Sequence, residues 1–268
     1  MTRFQHIFVV ALFLSGAALA QSAPSLYKQV AKFEVGGEGG WDYITYDASS
    51  NRLFVAHSME ITVLDAASGK KIGSVPANGA HGIALVNEKN LGFSTNGRAG
   101  TVTVFDLKTL QPKQEIKAGE NPDAIMYDHY SRKVIVMNGR SKDVMVIDPD
   151  ALKAVATVPL GGKLEAGSSD AAHVYVNIED TGEIASINSS TWKEDHRWKL
   201  PGCEEPSGMA IDEKNIIYLL FAGTRRWWSS MPSMGECWPR WIQEQERTGA
   251  ASIRDSATRS HRTAAMAP

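Results

Sequence analysis

Residues 82–116 read GIALVNEKNLGFSTNGRAGTVTVFDLKTLQPKQEI, a segment of four short runs that are separated by turn-forming residues. In runs such as Thr101–Val104, polar and apolar residues alternate and β-branched residues are frequent. Alternation at period two is typical of strands, whereas a helix would place apolar residues at i, i+3, i+4 and i+7. The Asn, Asp and Gly residues between the runs favour strand reversal. The segment is therefore predicted to be one four-stranded β-unit.

The same pattern recurs before and after this segment. One column of matching runs contains Phe54–His57, Phe93–Asn96, Ile135–Asn138 and Val174–Asn177. A second column contains Val63–Asp65, Val104–Asp106, Val146–Asp148 and Ser186–Asn188. The copies are roughly 40 residues apart, which is the period of a propeller blade with four strands. The fold prediction is an all-β, incomplete β-propeller with about four blades and the start of a fifth.

The repeats predict the following organisation. The propeller repeats extend over residues 27–222, and Val30–Val35 is predicted as an additional outer strand. The blades are predicted at Trp41–Val75, Gly82–Ile116, Asp123–Val158 and Glu165–Leu200, with a fifth that starts at Ser207–Asp212 and continues over Ile216–Phe221.

Some of these runs resemble a known family. Phe93–Asn96 and Tyr175–Asn177 are similar to the Tyr-Val-Thr-Asn signature of the YVTN, or YncE-like, β-propeller repeats. Ile61–Lys70 is similar to the adjoining Val-x-Val-Ile-Asp-x-x-x-Gly-Lys pattern. The resemblance covers about residues 41 to 222. It implies a WD40-like propeller and an exported protein, and it implies no single activity, because propellers carry many unrelated functions.

Residues 1–20 have the pattern of a secretory signal. Arg3 precedes an apolar run over Ile7–Leu19, and Ala18–Ala20 forms a small-x-small cleavage site. A membrane anchor is the alternative, but a span needs about 20 apolar residues and this run is shorter. The sequence predicts a periplasmic or secreted protein with no membrane span after cleavage.

Residues 223–268 break the repeat pattern. Four of the seven Trp residues lie between Trp227 and Trp241, and no Val follows Val176. A disordered tail, a special extension and translation in the wrong frame are the three alternatives. The frame that starts one nucleotide earlier permits Val-Val-Val across Trp227–Ser229 and Val-Asp-Ala-Val-Asp-Gly across Ser230–Gly235, which restores the blade pattern. A frameshift between about Leu219 and Arg226 is therefore predicted, so that the chain would be a truncated copy with a disordered tail.

Polar residues are predicted to collect on one face of the propeller. They follow each outer strand, or they lie between the second and third strands of a blade. The first set is Asp42, His81, Asp123, Glu165 and Ser207, and the second is His57, Asn96, Arg98, Asn138, Arg140, Asn177 and Glu179. The ligand would be a protein, a polymer or a small molecule. The alternative is that these are ordinary solvated loop tips.

Several classes of function lack support in the sequence. The formal net charge is −2, with no basic block, which argues against an electrostatic nucleic-acid binder. The chain has no Gly-x-Ser-x-Gly motif, no His-x-x-x-His on a helix and no Cys pair at ligand spacing, so no catalytic residue, metal ligand or cofactor is assigned. Arg98 and Arg140 could bind an anion or be simply exposed.

An exported binding or scaffold module is the predicted function. The alternative is a propeller enzyme, lactonase- or dehydrogenase-like, that uses a metal or quinone cofactor in the central channel. His57, His81 or the column of Asp and Glu residues would hold that cofactor.

Overall fold

The computed structural model describes residues 28–200, 204–212, 216–221, 227–230 and 237–240. The chain divides into two compact units, Met1–Glu34 and Val35–Pro268. In the first unit, the described residues 28–34 form no strand or helix, and the predicted signal at 1–20 lies outside the described residues. The prediction of a strand over Val30–Val35 is wrong. Val30 is 92% exposed, and an extended run without a neighbouring strand gains no ladder of hydrogen bonds.

The second unit contains five four-stranded antiparallel sheets, counted over the described residues. In each sheet the strands are hydrogen-bonded in the order of the chain, as expected for propeller blades. Blade one is β1 Trp41–Asp47, β2 Arg52–His57, β3 Glu60–Asp65 and β4 Lys71–Pro76. Blade two is β5 Ala80–Val86, β6 Leu91–Asn96, β7 Thr101–Asp106 and β8 Pro112–Lys117. Blade three is β9 Pro122–Asp128, β10 Lys133–Asn138, β11 Asp143–Asp148 and β12 Lys153–Pro159.

The remaining two blades have the same strand order. Blade four is β13 Leu164–Ser169, β14 His173–Ile178, β15 Glu183–Asn188 and β16 Lys193–Lys199. Blade five is β17 Pro206–Asp212, β18 Ile216–Phe221, β19 Trp227–Ser230 and β20 Cys237–Arg240. The prediction of an all-β propeller with four-stranded blades is confirmed. Short 3-10 turns at Asn87–Lys89 and Glu179–Thr181 connect two of the strand pairs. The described residues contain no helix with the length and apolar character of a membrane span.

Local turn chemistry explains why the third and fourth strands of each blade form a hairpin. The residue that ends the third strand accepts a hydrogen bond from a backbone N–H group two or three positions later, which starts the reversal of the chain. In blades one to four these residues are Asp65, Asp106, Asp148 and Asn188. The Asp or Asn at the end of the second repeat column is thus a turn residue.

The hydrophobic core lies between consecutive blades. Phe54 of blade one packs near Phe105 of blade two, with ring centroids 6.1 Å apart. Val104 and Val136 belong to the cluster between blades two and three, and Leu164 belongs to the cluster between blades three and four. Each blade therefore depends on its neighbours to bury its two faces, as in other repeat proteins. The five inner strands β1, β5, β9, β13 and β17 pack side by side in chain order.

The first blade shows that the ring is incomplete. Ile44 is 41% exposed, whereas Ile83 and Ile125, at the same position of the next two inner strands, are 4% and 9% exposed. Likewise, Tyr46 is 51% exposed and its counterpart Tyr127 is 2% exposed. The preceding blade covers these side chains in blades two and three. The face of β1 that carries Ile44 and Tyr46 is therefore more exposed than its counterparts in blades two and three.

The fifth sheet differs from the expectation for the tail. Trp227–Ser230 pairs with Ile216–Phe221, and Cys237–Arg240 pairs with Trp227–Ser230, so two strands lie in a segment predicted to be disordered. The edge of β18 exposes a row of backbone N–H and C=O groups that any extended segment can satisfy. Trp is also favoured in strands. The other residues after 222 lie outside the described residues.

Candidate functional site

The second residue of each inner strand points to one end of the blades. These residues are Asp42, His81, Asp123, Glu165 and Ser207. Because inner strands of consecutive blades lie side by side, side chains about 40 residues apart come into contact. His81 Nδ1 lies 2.5 Å from Asp42 Oδ2 and 3.9 Å from Asp123 Oδ1. The structure thus brings together the first three residues of the predicted first set.

His81 is fixed by a carboxylate on one side and a glycine on the other. The hydrogen bond with Asp42 raises the pKa of His81 above its ordinary value of 6.5, although burial acts in the opposite direction. The imidazole lies against Gly97, where an added Cβ atom would be 2.5 Å from Nε2 and 2.6 Å from Cδ2 of the ring. A residue with a side chain at position 97 would therefore displace the imidazole.

Asp123 is a buried carboxylate with little compensation. The residue is 9% exposed, and His81 is too far away to donate a hydrogen bond to its carboxylate oxygens. Its nearest cationic atom is His81 Nδ1 at 3.9 Å. Burial raises the pKa of Asp123 to about 6; the charge of His81 opposes this shift and that of Asp42 adds to it. A buried charge without hydrogen bonds is costly, so this carboxylate is poised to accept a cation.

A second acidic group lies beside the first. Lys163 Nζ is 2.8 Å from Glu165 Oε1 and also contacts the Glu179 carboxylate. Burial and a hydrogen bond with Glu179 raise the pKa of Glu165 above its ordinary value of 4.5, and the charge of Asp123 adds to this effect. One lysine thus serves two carboxyl groups, and the raised pKa of Glu165 means that this pair gains its second negative charge only at higher pH.

Tyr43 joins the two acidic groups, and sequence reasoning missed it. It packs against the hydrophobic cluster that contains Leu164, which is formed mainly by residues of blades three and four. Burial, followed by the charges of Asp123 and Glu165, raises the pKa of Tyr43 above its ordinary value of 10.0. The phenol therefore stays neutral and is available as a hydrogen-bond donor.

Comparison of the repeats could have identified Tyr43 from the sequence. The third residue of the other inner strands is Gly82, Ala124, Ala166 or Gly208. Small residues are needed there because the next blade is close: a Cβ atom on Gly82 would be 2.8 Å from Ile125 Cγ2. A tyrosine in that column departs from the pattern.

Three predicted site residues instead stabilise the blades. Asn96, Asn138 and Asn177 are buried, and each donates through its side-chain amide. The acceptors are Thr101 and Thr103 for Asn96 at 3.0 and 2.7 Å, Asp143 for Asn138 at 2.7 Å, and the Gly208 carbonyl for Asn177 at 3.0 Å. The structure places these amides inside the blades and between blades four and five.

The other predicted residues lie outside the acidic cluster. His57 is buried and stacks on Trp41, with ring centroids 3.7 Å apart, and it makes no described contact with His81. Arg98 and Arg140 are exposed, and Arg98 contacts Met59 Sδ at 3.9 Å. Ser207 is half-buried. The structure shows no joint anion site of the two arginines among the described residues.

Asp42, His81 and Asp123 form a group with the chemistry of metal ligands. One ligand atom from each residue lies within 4.8 Å of the other two. The sequence offered His57, His81 and the column of Asp and Glu residues as holders of a cofactor, and the structure groups His81 with Asp42 and Asp123 but not with His57. The lack of a short ligand motif is explained by this geometry: the three residues come from three blades.

Comparisons with known proteins identify the fold. No family model matches the chain, and no curated protein matches its sequence. Among solved structures, it is similar to Kuenenia stuttgartiensis hydrazine synthase, with a TM-score of 0.57 and 17% identity over 76% of this chain and 79% of that chain. It is also similar to the β-propeller domain of Myceliophteria thermophila Cps50 (Swd1), with a TM-score of 0.61 and 11% identity over 73% of this chain and 66% of that chain. At these identities the likeness shows the fold alone, and that fold is a β-propeller.

Proposed function

We propose that this chain is an exported β-propeller binding module whose channel face takes a cationic ligand. The observation that carries the proposal is that Asp42 and Asp123 flank His81, while Glu165 and Glu179 share Lys163. These four acidic residues come from three different blades.

The charge balance of this site favours a cation. Four carboxylates face two basic groups, His81 and Lys163. Burial raises the pKa values of Asp123 and Glu165, so the site carries its full negative charge only above those values, and that charge then lies in a medium of reduced dielectric. Clefts lined by one sign of charge concentrate ligands of the opposite sign.

The neutral phenol and the half-buried setting add specificity. Tyr43 can donate a hydrogen bond and offer an aromatic face to an ammonium or guanidinium group. A lysine or arginine side chain of an exported protein, or an organic amine, fits this chemistry. The exposed carboxylate of Asp42 leaves one side of the site open to solvent.

Short charged peptides test the proposal. We expect the full chain to bind tetralysine and not tetraglutamate in isothermal titration calorimetry, with weaker binding at higher salt. Glu165→Gln should weaken the binding by roughly fivefold, equivalent to about 1 kcal/mol. Glu115→Gln is the matched control, because Glu115 is exposed on the outer strand β8. Equal binding of both peptides, or tetralysine binding unaffected by Glu165→Gln, would contradict the proposal.

Export and family membership are parts of the same proposal. The signal pattern of residues 1–20 supports export, and the repeated runs Phe93–Asn96 and Tyr175–Asn177 support a YVTN-type propeller. Amino-terminal sequencing of the protein from the periplasm or medium tests the first point. A mature protein that starts at Gln21 is expected, and an intact Met1 would contradict it.

We also propose that the chain is a truncated copy produced by a frameshift between about Leu219 and Arg226. The loss of the repeat pattern after Phe221 and its recovery in the preceding frame support this proposal. Resequencing the gene from codon 210 onward tests it. One missing or extra base near codons 219–226 is expected, and confirmation of the frame as written would contradict it.

A further inference from the structure

We propose that Asp42, His81 and Asp123 form a binding site for a divalent transition-metal ion, with zinc as the probe. The inference goes beyond the cationic-ligand proposal, and it needs neither Glu165 nor Glu179. Its ligands come from the second positions of three consecutive inner strands, β1, β5 and β9.

The ligand atoms are close to the spacing that a metal imposes. Their mutual distances are all within 4.8 Å, and the shortest is the 2.5 Å between His81 Nδ1 and Asp42 Oδ2. Around zinc, with bonds of about 2.0–2.2 Å, tetrahedral ligand atoms are about 3.3 Å apart. Small side-chain rotations would therefore bring the three atoms into place. Binding at Nδ1 would replace the proton that His81 now directs toward Asp42.

The burial of the Asp123 carboxylate is a second observation that points to a bound ligand. The Asp123 side chain is only 12% exposed and faces His81, whose Nδ1 atom, at 3.9 Å, is too far away to donate a hydrogen bond to the carboxylate. Native proteins rarely leave a buried charge in that condition, because desolvation without compensation is costly. A bound cation would supply the missing compensation.

The imidazole favours a particular class of ion. Calcium and magnesium prefer oxygen ligands, whereas imidazole suits zinc and other late first-row ions. The imidazole of His81 lies in the space beside Gly97 and is held through its hydrogen bond with Asp42, so little ordering is needed on binding. Three protein ligands leave at least one coordination position open for water or another ligand.

A second histidine provides a matched control. His173 also lies between two aspartates, with Nδ1 3.7 Å from Asp170 and Nε2 3.1 Å from Asp195. Its carboxylates face different ring nitrogens, so they do not converge on one point. The side chains of His173 and His81 are almost equally exposed. The two histidines therefore differ mainly in whether their acidic neighbours converge.

Zinc titration of the chelator-treated full chain tests the proposal. Calorimetry should show one zinc ion per chain, with a dissociation constant on the order of micromolar or lower. His81→Ala should raise that constant by about tenfold or more, and His173→Ala should leave it unchanged. Cobalt in place of zinc should give visible absorption bands that His81→Ala abolishes. Calcium should compete only weakly.

A second variant keeps the test decisive if His81→Ala does not fold. Asp123→Asn has nearly the same shape but lacks the charge. It should bind zinc about tenfold more weakly, while the zinc-free variant is as stable as the parent chain or more so.

Three outcomes would overturn the proposal. They are the absence of zinc binding by the parent chain, equal zinc binding by its folded His81→Ala or Asp123→Asn variant, and calcium binding as tight as that of zinc. The peptide experiment is separate, because it depends on Glu165, which is not a ligand in this proposal.

Discussion

The Nδ1 atom of His81 lies 2.5 Å from Oδ2 of Asp42, although the two residues are 39 positions apart and belong to different blades. The contact arises because the separation is close to one blade period. Asp123 lies about one further blade period along the chain from His81, and it is the third residue of the cluster. The repeat that builds the fold thus also builds the site.

This contact predicts a change in the titration of His81. In the metal-free chain, Asp42→Asn removes the charge that stabilises the imidazolium, so the pKa of His81 should fall. NMR titration of the histidine ring signals, in the presence of a chelator, measures the shift. Asp150→Asn is the control, because Asp150 is exposed and pairs with Lys89. An unchanged His81 titration in Asp42→Asn would contradict the geometry.

Glu165 predicts a pH dependence of stability. Its folded pKa is raised above 4.5, mainly by burial and by the hydrogen bond with Glu179, so the folded state holds the proton more tightly than the unfolded state. The resulting stabilisation is fully present below pH 4.5 and is lost as the pH rises through the raised pKa. Lys163, Glu179 and Asp123 are the charged groups that act on it.

Denaturant unfolding at several pH values measures this effect. Glu165→Gln should weaken the fall in stability of the chain between pH 4.5 and neutrality. Glu115→Gln should leave the slope unchanged. If the stability of Glu165→Gln falls with pH as steeply as that of the parent chain, another group controls the pH dependence of stability.

Close packing in blade two leads us to expect that one methyl group added at Gly92 lowers the stability of the chain. Gly92 lies opposite Phe105, and a Cβ atom on Gly92 would overlap the ring, with Cε1 only 2.7 Å away. Phe105 is fully buried and cannot move freely. Gly92→Ala should therefore destabilise the chain by about 1–3 kcal/mol.

Urea unfolding provides the measurement for this substitution. Gly40→Ala is the control, because no atom lies within 4 Å of a Cβ added at Gly40. Equal free energies of unfolding for the two variants would contradict the packing of Gly92 against Phe105.

The buried asparagines predict a separation of stability from binding. Asn138→Ala removes the hydrogen bond to Asp143, at 2.7 Å, and should cost about 1–3 kcal/mol of stability. Tetralysine affinity of the folded variant should not change, since the amide lies inside blade three. Arg140→Ala should alter neither quantity. If the folded Asn138→Ala variant binds tetralysine more weakly than the parent chain, Asn138 does belong to the binding site.

Much of the blade structure was predictable because its causes are local. Alternating residues such as Thr101–Val104 determine which side of a strand is buried, and Asp106 starts the next turn through its own side chain. The columns at Asp42, His81 and Asp123 were likewise identified from spacing. These inferences need only the period of a strand and the chemistry of a turn.

The remaining features depend on contacts between blades, which a repeat pattern does not specify. Tyr43 reaches a cluster from two other blades, and the sequence gives no direction for its side chain. His57 occupies a polar column, yet it stacks on Trp41. The strand predicted at Val30–Val35 has the right alternation but no partner strand. Strands β19 and β20 arise from backbone pairing at an open edge, to which side-chain patterns are only weakly related.

The most direct test of the convergent site is anomalous X-ray diffraction at the zinc absorption edge, from crystals of the chain grown with zinc. One strong peak is expected at a position bonded to Asp42, His81 and Asp123, at about 2.0–2.2 Å from each ligand atom. The absence of a peak at that position, or zinc bound only elsewhere, would contradict the proposed site.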